Sequence, residues 1–115
     1  MHAMTRVGFI GLGAMGASMA GHLHGKNLLA VVGNRSFAKA EAMAAQLGVR
    51  VARTDADFAE CDAVVLCVSM DADVMQCVRG LATVLRRGSV IIDHSTVARS
   101  TAVEAACVLE EYGIG

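Results

Sequence analysis

The sequence contains no proline and no tryptophan, and its only aromatic residues are three phenylalanines and one tyrosine. Without proline there is no proline-rich linker, and no low-complexity run or internal repeat divides the chain. Charge is also scarce. Ten Lys and Arg stand against eleven Asp and Glu, a net charge of −1. That balance offers no basic excess to follow a phosphate backbone, and four aromatics offer almost nothing for bases to stack on, so nucleic-acid binding is excluded as an expectation. Outside the glycine-rich start, the longest apolar run is residues 63–68. This is far short of the ~20 residues that cross a bilayer, so no membrane partner is expected. The four cysteines, Cys61, Cys67, Cys77 and Cys107, show no C-x-x-C spacing. They read as reduced thiols of a cytoplasmic protein. His2, His22 and His24 show no ligand spacing with a carboxylate or a cysteine pair, so no metal is expected.

What is present is apolar. Hydrophobic residues make up 55% of the 115 residues, glycine adds twelve more, and charged residues make up only 18% against a usual ~25%. This composition builds a core and excludes intrinsic disorder. It also suggests that some apolar surface is covered by something outside these residues. The length suits one domain.

Apolar runs and helix-period segments alternate along the chain. Strands are expected at residues 7–10, 28–32, 49–51, 63–68 and 90–92. Helices are expected at 15–26, from Ser36 as N-cap to about 46, at 71–85 and at 100–111, with a short helical turn at 55–60. Gly48 stops the second helix. The inner face of the last helix is read as Ala102, Ala105, Ala106 and Leu109. Strict β-α alternation with short connections predicts an α/β fold: a doubly wound parallel sheet of strand order 3-2-1-4-5.

Between the first strand and the first helix lies Gly11-Leu12-Gly13-Ala14-Met15-Gly16. This is G-x-G-x-x-G in the strand–turn–helix setting the motif requires. Gly11 takes the tight turn, Gly13 leaves room for a pyrophosphate, and Gly16 lets the helix lie against the strand. The N–H groups opening that helix face the phosphates. Arg6 and the apolar residues 7–21 also have the outline of a secretory leader, but glycines at 8, 11, 13, 16 and 21 fit a nucleotide loop better. The end of the second strand reads Val32-Gly33-Asn34-Arg35-Ser36, with no acid before Glu41. An NAD-selective site places Asp or Glu there. Here Arg35 can fork onto a 2′-phosphate with Asn34 and Ser36 beside it, so NADP is the expected cofactor, NADPH preferred over NADH.

The residues Phe9–Gly16, with Met19-Ala20 and His22-Leu23, resemble the signature of the β-hydroxyacid dehydrogenases, among them 3-hydroxyisobutyrate dehydrogenase, tartronate semialdehyde reductase and, more distantly, 6-phosphogluconate dehydrogenase. Asn34-Arg35-Ser36 is similar to the Asn-Arg-Thr of the NADPH-using members. Leu66-Cys67-Val68-Ser69, with Asp71 and Asp73-Val74, resembles the loop after the fourth strand that passes the nicotinamide ribose, which implies Val68, Ser69 and Met70 as cofactor-binding residues. Asp93-His94-Ser95-Thr96 resembles the D-x-S-T segment where cofactor and substrate meet. The resemblance implies Thr96 near the nicotinamide and Ser95 on the substrate side. It implies hydride exchange between NADP and a small 3-hydroxy acid or semialdehyde. Met15 and Met70 are expected to line the cofactor cleft. Arg99 stands where the family usually has proline.

In the family, a sixth strand binding the substrate carboxylate and a helical domain with the catalytic Lys follow this stretch. The chain is therefore expected to be the NADP-binding domain of a longer enzyme, without a catalytic residue and silent alone. A small-molecule substrate is expected only with the C-terminal domain supplied. The alternative is a free-standing NADP-binding module acting as a sensor or partner subunit. Self-association through an uncovered fifth strand is expected in either case.

Overall fold

The computed structural model describes residues 5–68, 70–94 and 99–115. Five parallel strands alternate with helices: β1 (Val7–Ile10), α1 (Ala14–Gly25), β2 (Leu29–Gly33), α2 (Phe37–Leu47), β3 (Arg50–Val51), a 3-10 turn (Asp55–Phe58), β4 (Ala63–Leu66), α3 (Asp71–Ala82), β5 (Val90–Asp93) and α4 (Arg99–Glu111). The sheet order is β3-β2-β1-β4-β5, the doubly wound order expected from the alternation.

Successive residues of each strand face opposite sides, and both sides are apolar. Ile10, Val31, Val64 and Leu66 pack with Val74, Val78 and Leu81 of α3 and Leu109 of α4. Phe9, Val32 and Val65 pack on the other face with Ala20 of α1 and Ala40 and Ala44 of α2. This two-sided burial is why the central strands read as unbroken apolar runs. Phe9 and Leu66 are fully buried. Truncating either to Ala costs ~2–5 kcal/mol.

Register decides where the site lies. Ile10 pairs with Gly33 on one side and Leu66 on the other, and Leu66 pairs with Asp93. Four strands thus end in one row, and every following loop leaves from the same edge.

Several boundaries differ from the sequence reading, each for a local reason. The fourth strand ends at Leu66 because Cys67 and Val68 leave the sheet, although the Cys67 N–H still donates to the Ile10 carbonyl at 2.8 Å. The third strand keeps only Arg50 and Val51. Gly48 does end α2, in the left-handed conformation at φ 72°. The inner face of α4 is shifted. Thr101 and Leu109 are buried, with Ala105 and Val108 half-buried beside them, whereas Ala102 and Ala106 are exposed.

The outer edge of β5 also departs from expectation. Gly113, at φ 71°, turns the chain back after α4, and Ile114 is buried in the α3–α4 core. The Gly115 N–H then donates to the Ser89 carbonyl at 2.8 Å, and the Ile91 N–H donates to the Gly115 carbonyl at 2.9 Å. Residue 115 therefore lies alongside β5 in parallel register, and this part of the edge is paired rather than bare.

Candidate functional site

A cleft of about 730 Å³ opens along the row where the strands end. Its floor is the glycine loop, and the three glycines do different work. Gly11 sits at φ 104°, a conformation L side chains rarely adopt, and a Cβ there would meet the Cys67 carbonyl. A Cβ on Gly16 would meet the Gly11 carbonyl oxygen, so α1 can lie against β1 only with glycine at this position. Gly13 has an ordinary φ of −65° and nothing within 4 Å of a Cβ placed there. Its missing side chain serves the cleft and not the packing.

Gly13 is the N-cap of α1, and the first turn of that helix carries no acidic side chain. The N–H groups of a first helical turn have no partner within the helix and favour an anion. Ala14 and Met15 are the first two residues of the helix. Leu12 lines the cleft, and its N–H donates to Asn34 Oδ1 at 2.8 Å. Asn34 Nδ2 donates in turn to the Ser36 carbonyl at 3.3 Å. Asn34 therefore ties the glycine loop to the turn after β2, a link across 22 residues that local spacing does not reveal.

The structure brings Gly11, Leu12, Gly13, Asn34, Arg35 and Val68 together around this cleft. Ser36 is the N-cap of α2, outside the cleft wall, and its side chain makes no cap hydrogen bond. Met15 and Met70 are largely exposed and stand outside the wall, contrary to the expectation that they line it. Ser69, Ser95 and Thr96 lie outside the described residues.

The cleft also has a wall that sequence reasoning missed. Ala52, Arg53, Thr54 and Asp55 form it after β3, with Phe58 behind them. The signal was available: in such sheets ligands bind beyond the carboxyl ends of strands, and β3 ends at this loop. Asp57 holds the loop, accepting from the Arg53 N–H at 2.7 Å and the Thr54 N–H at 3.1 Å. These two bonds pull its carboxyl below the usual 3.8. Arg53 places its guanidinium 5.0 Å from the centre of the Phe37 ring. Lys39 joins Arg35 in lining the cleft, so two cations face the end of β2.

The opposite wall is α3, with Asp73, Gln76 and Cys77. Burial, with Asp55 and Asp73 nearby, pushes the Cys77 thiol up to about 11, so it stays neutral at physiological pH and is no nucleophile. The arrangement is a binding cleft: a backbone cradle, the cations Arg35, Lys39 and Arg53, and walls that also carry the carboxylates of Asp55 and Asp73. No helix among the described residues is long and apolar enough to cross a membrane.

Comparison with known proteins agrees with this geometry. An uncharacterised oxidoreductase of Shewanella frigidimarina is 38% identical over 96% of the chain, which spans 40% of that protein. The solved structure of a 3-hydroxyisobutyrate dehydrogenase from Mycobacterium tuberculosis with L-serine superposes with a TM-score of 0.88 at 30% identity, over 97% of this chain and 38% of that one. A reductive aminase from Aspergillus terreus solved with NADPH superposes at 0.81 with 26% identity, over 97% and 39% of the two chains. The chain thus spans about 40% of the length of each of these three proteins. Residues 6–115 match the family described as the NAD binding domain of 6-phosphogluconate dehydrogenase, and to this family of oxidoreductase nucleotide-binding domains the chain belongs.

Proposed function

We propose that the chain binds NADP(H) in this cleft and forms the nucleotide-binding part of an oxidoreductase acting on a small 3-hydroxy acid or its semialdehyde. The observation that carries the reading is the open space over Gly13 at the start of α1, with Arg35 and Lys39 in the same cleft. In this reading the pyrophosphate lies over the Gly11–Gly16 loop against the backbone N–H groups that open α1, and Asn34 braces that loop. Arg35, with Ser36 beside it, receives the 2′-phosphate. The resemblance assigns Val68, Ser69, Met70 and Thr96 to the cofactor and Ser95 to the substrate, and of these Val68 lines the cleft. When bound, the nicotinamide supplies or accepts the hydride, and the protein supplies position. The substrate class rests on the likeness to 3-hydroxyisobutyrate dehydrogenase. The four free thiols support a reducing, cytoplasmic setting.

Cofactor choice is the direct test. A hydrogen bond to a charged group contributes ~1.5–3 kcal/mol, or about 10–100-fold in affinity. Calorimetric titration is expected to show NADPH binding tighter than NADH by a factor in that range. Arg35→Ala is expected to remove most of the difference. Equal affinities in the unmodified chain, or no change on Arg35→Ala, overturn the assignment.

A further inference from the structure

Arg35 and Asp73 meet across the cleft. Arg35 leaves the end of β2, Asp73 stands in the first turn of α3, and Arg35 Nη2 lies 2.9 Å from Asp73 Oδ1. Both line the cleft. The two partners are unequally held. The Asp73 side chain is 18% exposed and sits where a helix start favours a carboxylate, whereas that of Arg35 is 83% exposed. Asp73 is thus the fixed member and Arg35 the one free to turn.

We propose that Asp73 determines cofactor specificity by competing with the ligand phosphate for Arg35. The inference rests on the reading of Arg35 given above. A phosphate monoester on the ribose must draw the guanidinium away from the Asp73 carboxylate, because a bidentate grip on phosphate uses the same N–H fork. A ribose with free hydroxyls leaves the pair in place. Asp73 therefore lowers the affinity for the phosphorylated dinucleotide and leaves the other unchanged. The selectivity of the natural chain is smaller than Arg35 alone would give.

The test uses Asp73→Asn and Asp73→Ser in the full chain, with far-UV circular dichroism confirming the fold and calorimetry reading NADPH and NADH separately. An exposed ion pair is a weak competitor, so each variant is expected to bind NADPH about two- to fivefold tighter, with NADH unchanged. In an Arg35→Ala background the gain from Asp73→Asn is expected to vanish. Three results overturn the proposal. An unchanged NADPH-to-NADH ratio in both Asp73 variants, while Arg35→Ala still weakens NADPH, removes it and leaves the site assignment standing. An equal gain in the Arg35→Ala background shows plain charge repulsion and not competition for Arg35. Indifference of NADPH binding to Arg35→Ala removes both readings together.

Discussion

Gly11, Gly13 and Gly16 lack a side chain for three separate reasons, and substitution separates them. Gly13→Val places its side chain in open space at a backbone conformation valine accepts. The domain is expected to fold with unchanged thermal stability and to lose NADPH binding, because only the backbone approach to the pyrophosphate is blocked. A folded Gly13→Val chain that titrates normally with NADPH removes the pyrophosphate assignment. Gly16→Ala acts through folding instead. Its Cβ meets the Gly11 carbonyl oxygen, a backbone atom that moves only if β1 and α1 separate. Overpacking of this kind costs ~1–3 kcal/mol, which urea denaturation reads directly. The motif gave all three positions, but which glycine serves the fold and which the ligand became visible only with the neighbours in place. Asn34 carries the same lesson. Its sequence neighbours suggested a phosphate contact, whereas its side chain is bonded to Leu12 and Ser36.

At the level of elements, the strands were legible wherever both faces are buried, as in β1, β2 and β4, because their burial leaves no polar alternation to confuse with a helix. The inner face of α4 was not legible, because alanines recur on both sides of that helix and mark neither. Nor did any local pattern show what fastens the opposite end of the sheet. There Asp62, just before β4, accepts from the Arg6 N–H at 2.8 Å and from Arg86 Nη2 at 2.9 Å. It joins the approaches to β1 and β4 to the turn before β5. The Arg6 N–H first, and then Arg86, hold the Asp62 carboxyl below its usual 3.8. A folded value below the unfolded one stabilises the fold above pH 3.8, and that contribution is lost as pH falls through the lower folded value. Asp62→Asn is therefore expected to lower the melting temperature at neutral pH. The gap to the unmodified chain should close as pH falls below 3.8 and through the lower folded value. A gap of constant size from neutral to acid pH means that the carboxylate charge is not its source.

For the whole molecule, the two edges of the sheet are unlike. β3 forms one edge with only two residues, one of them Arg50, and a short charged edge discourages pairing. β5 forms the other with Val90 and Ile92, which are 41% and 42% exposed. They share one face of the strand, and their neighbour Ile91 points the other way, against the α3–α4 core. Gly115 already occupies the Ser89 carbonyl and the Ile91 N–H, so a second strand has little backbone to pair with along that stretch. The apolar side chains remain open, and they form a strip that matches itself. Two copies related by a two-fold axis can bury it mutually, and a net charge of −1 per chain gives little repulsion against this. The chain is therefore expected to self-associate through the Val90–Ile92 face rather than by strand-to-strand hydrogen bonding. Light scattering after size exclusion, at tens of micromolar, should give a mass above the 11.9 kDa of one chain. Ile92→Lys should return it to a monomer with the fold intact, since the side chain is already partly in water. A monodisperse monomer of the unmodified chain at that concentration, or an oligomer indifferent to Ile92→Lys, would show that the strip does not drive association.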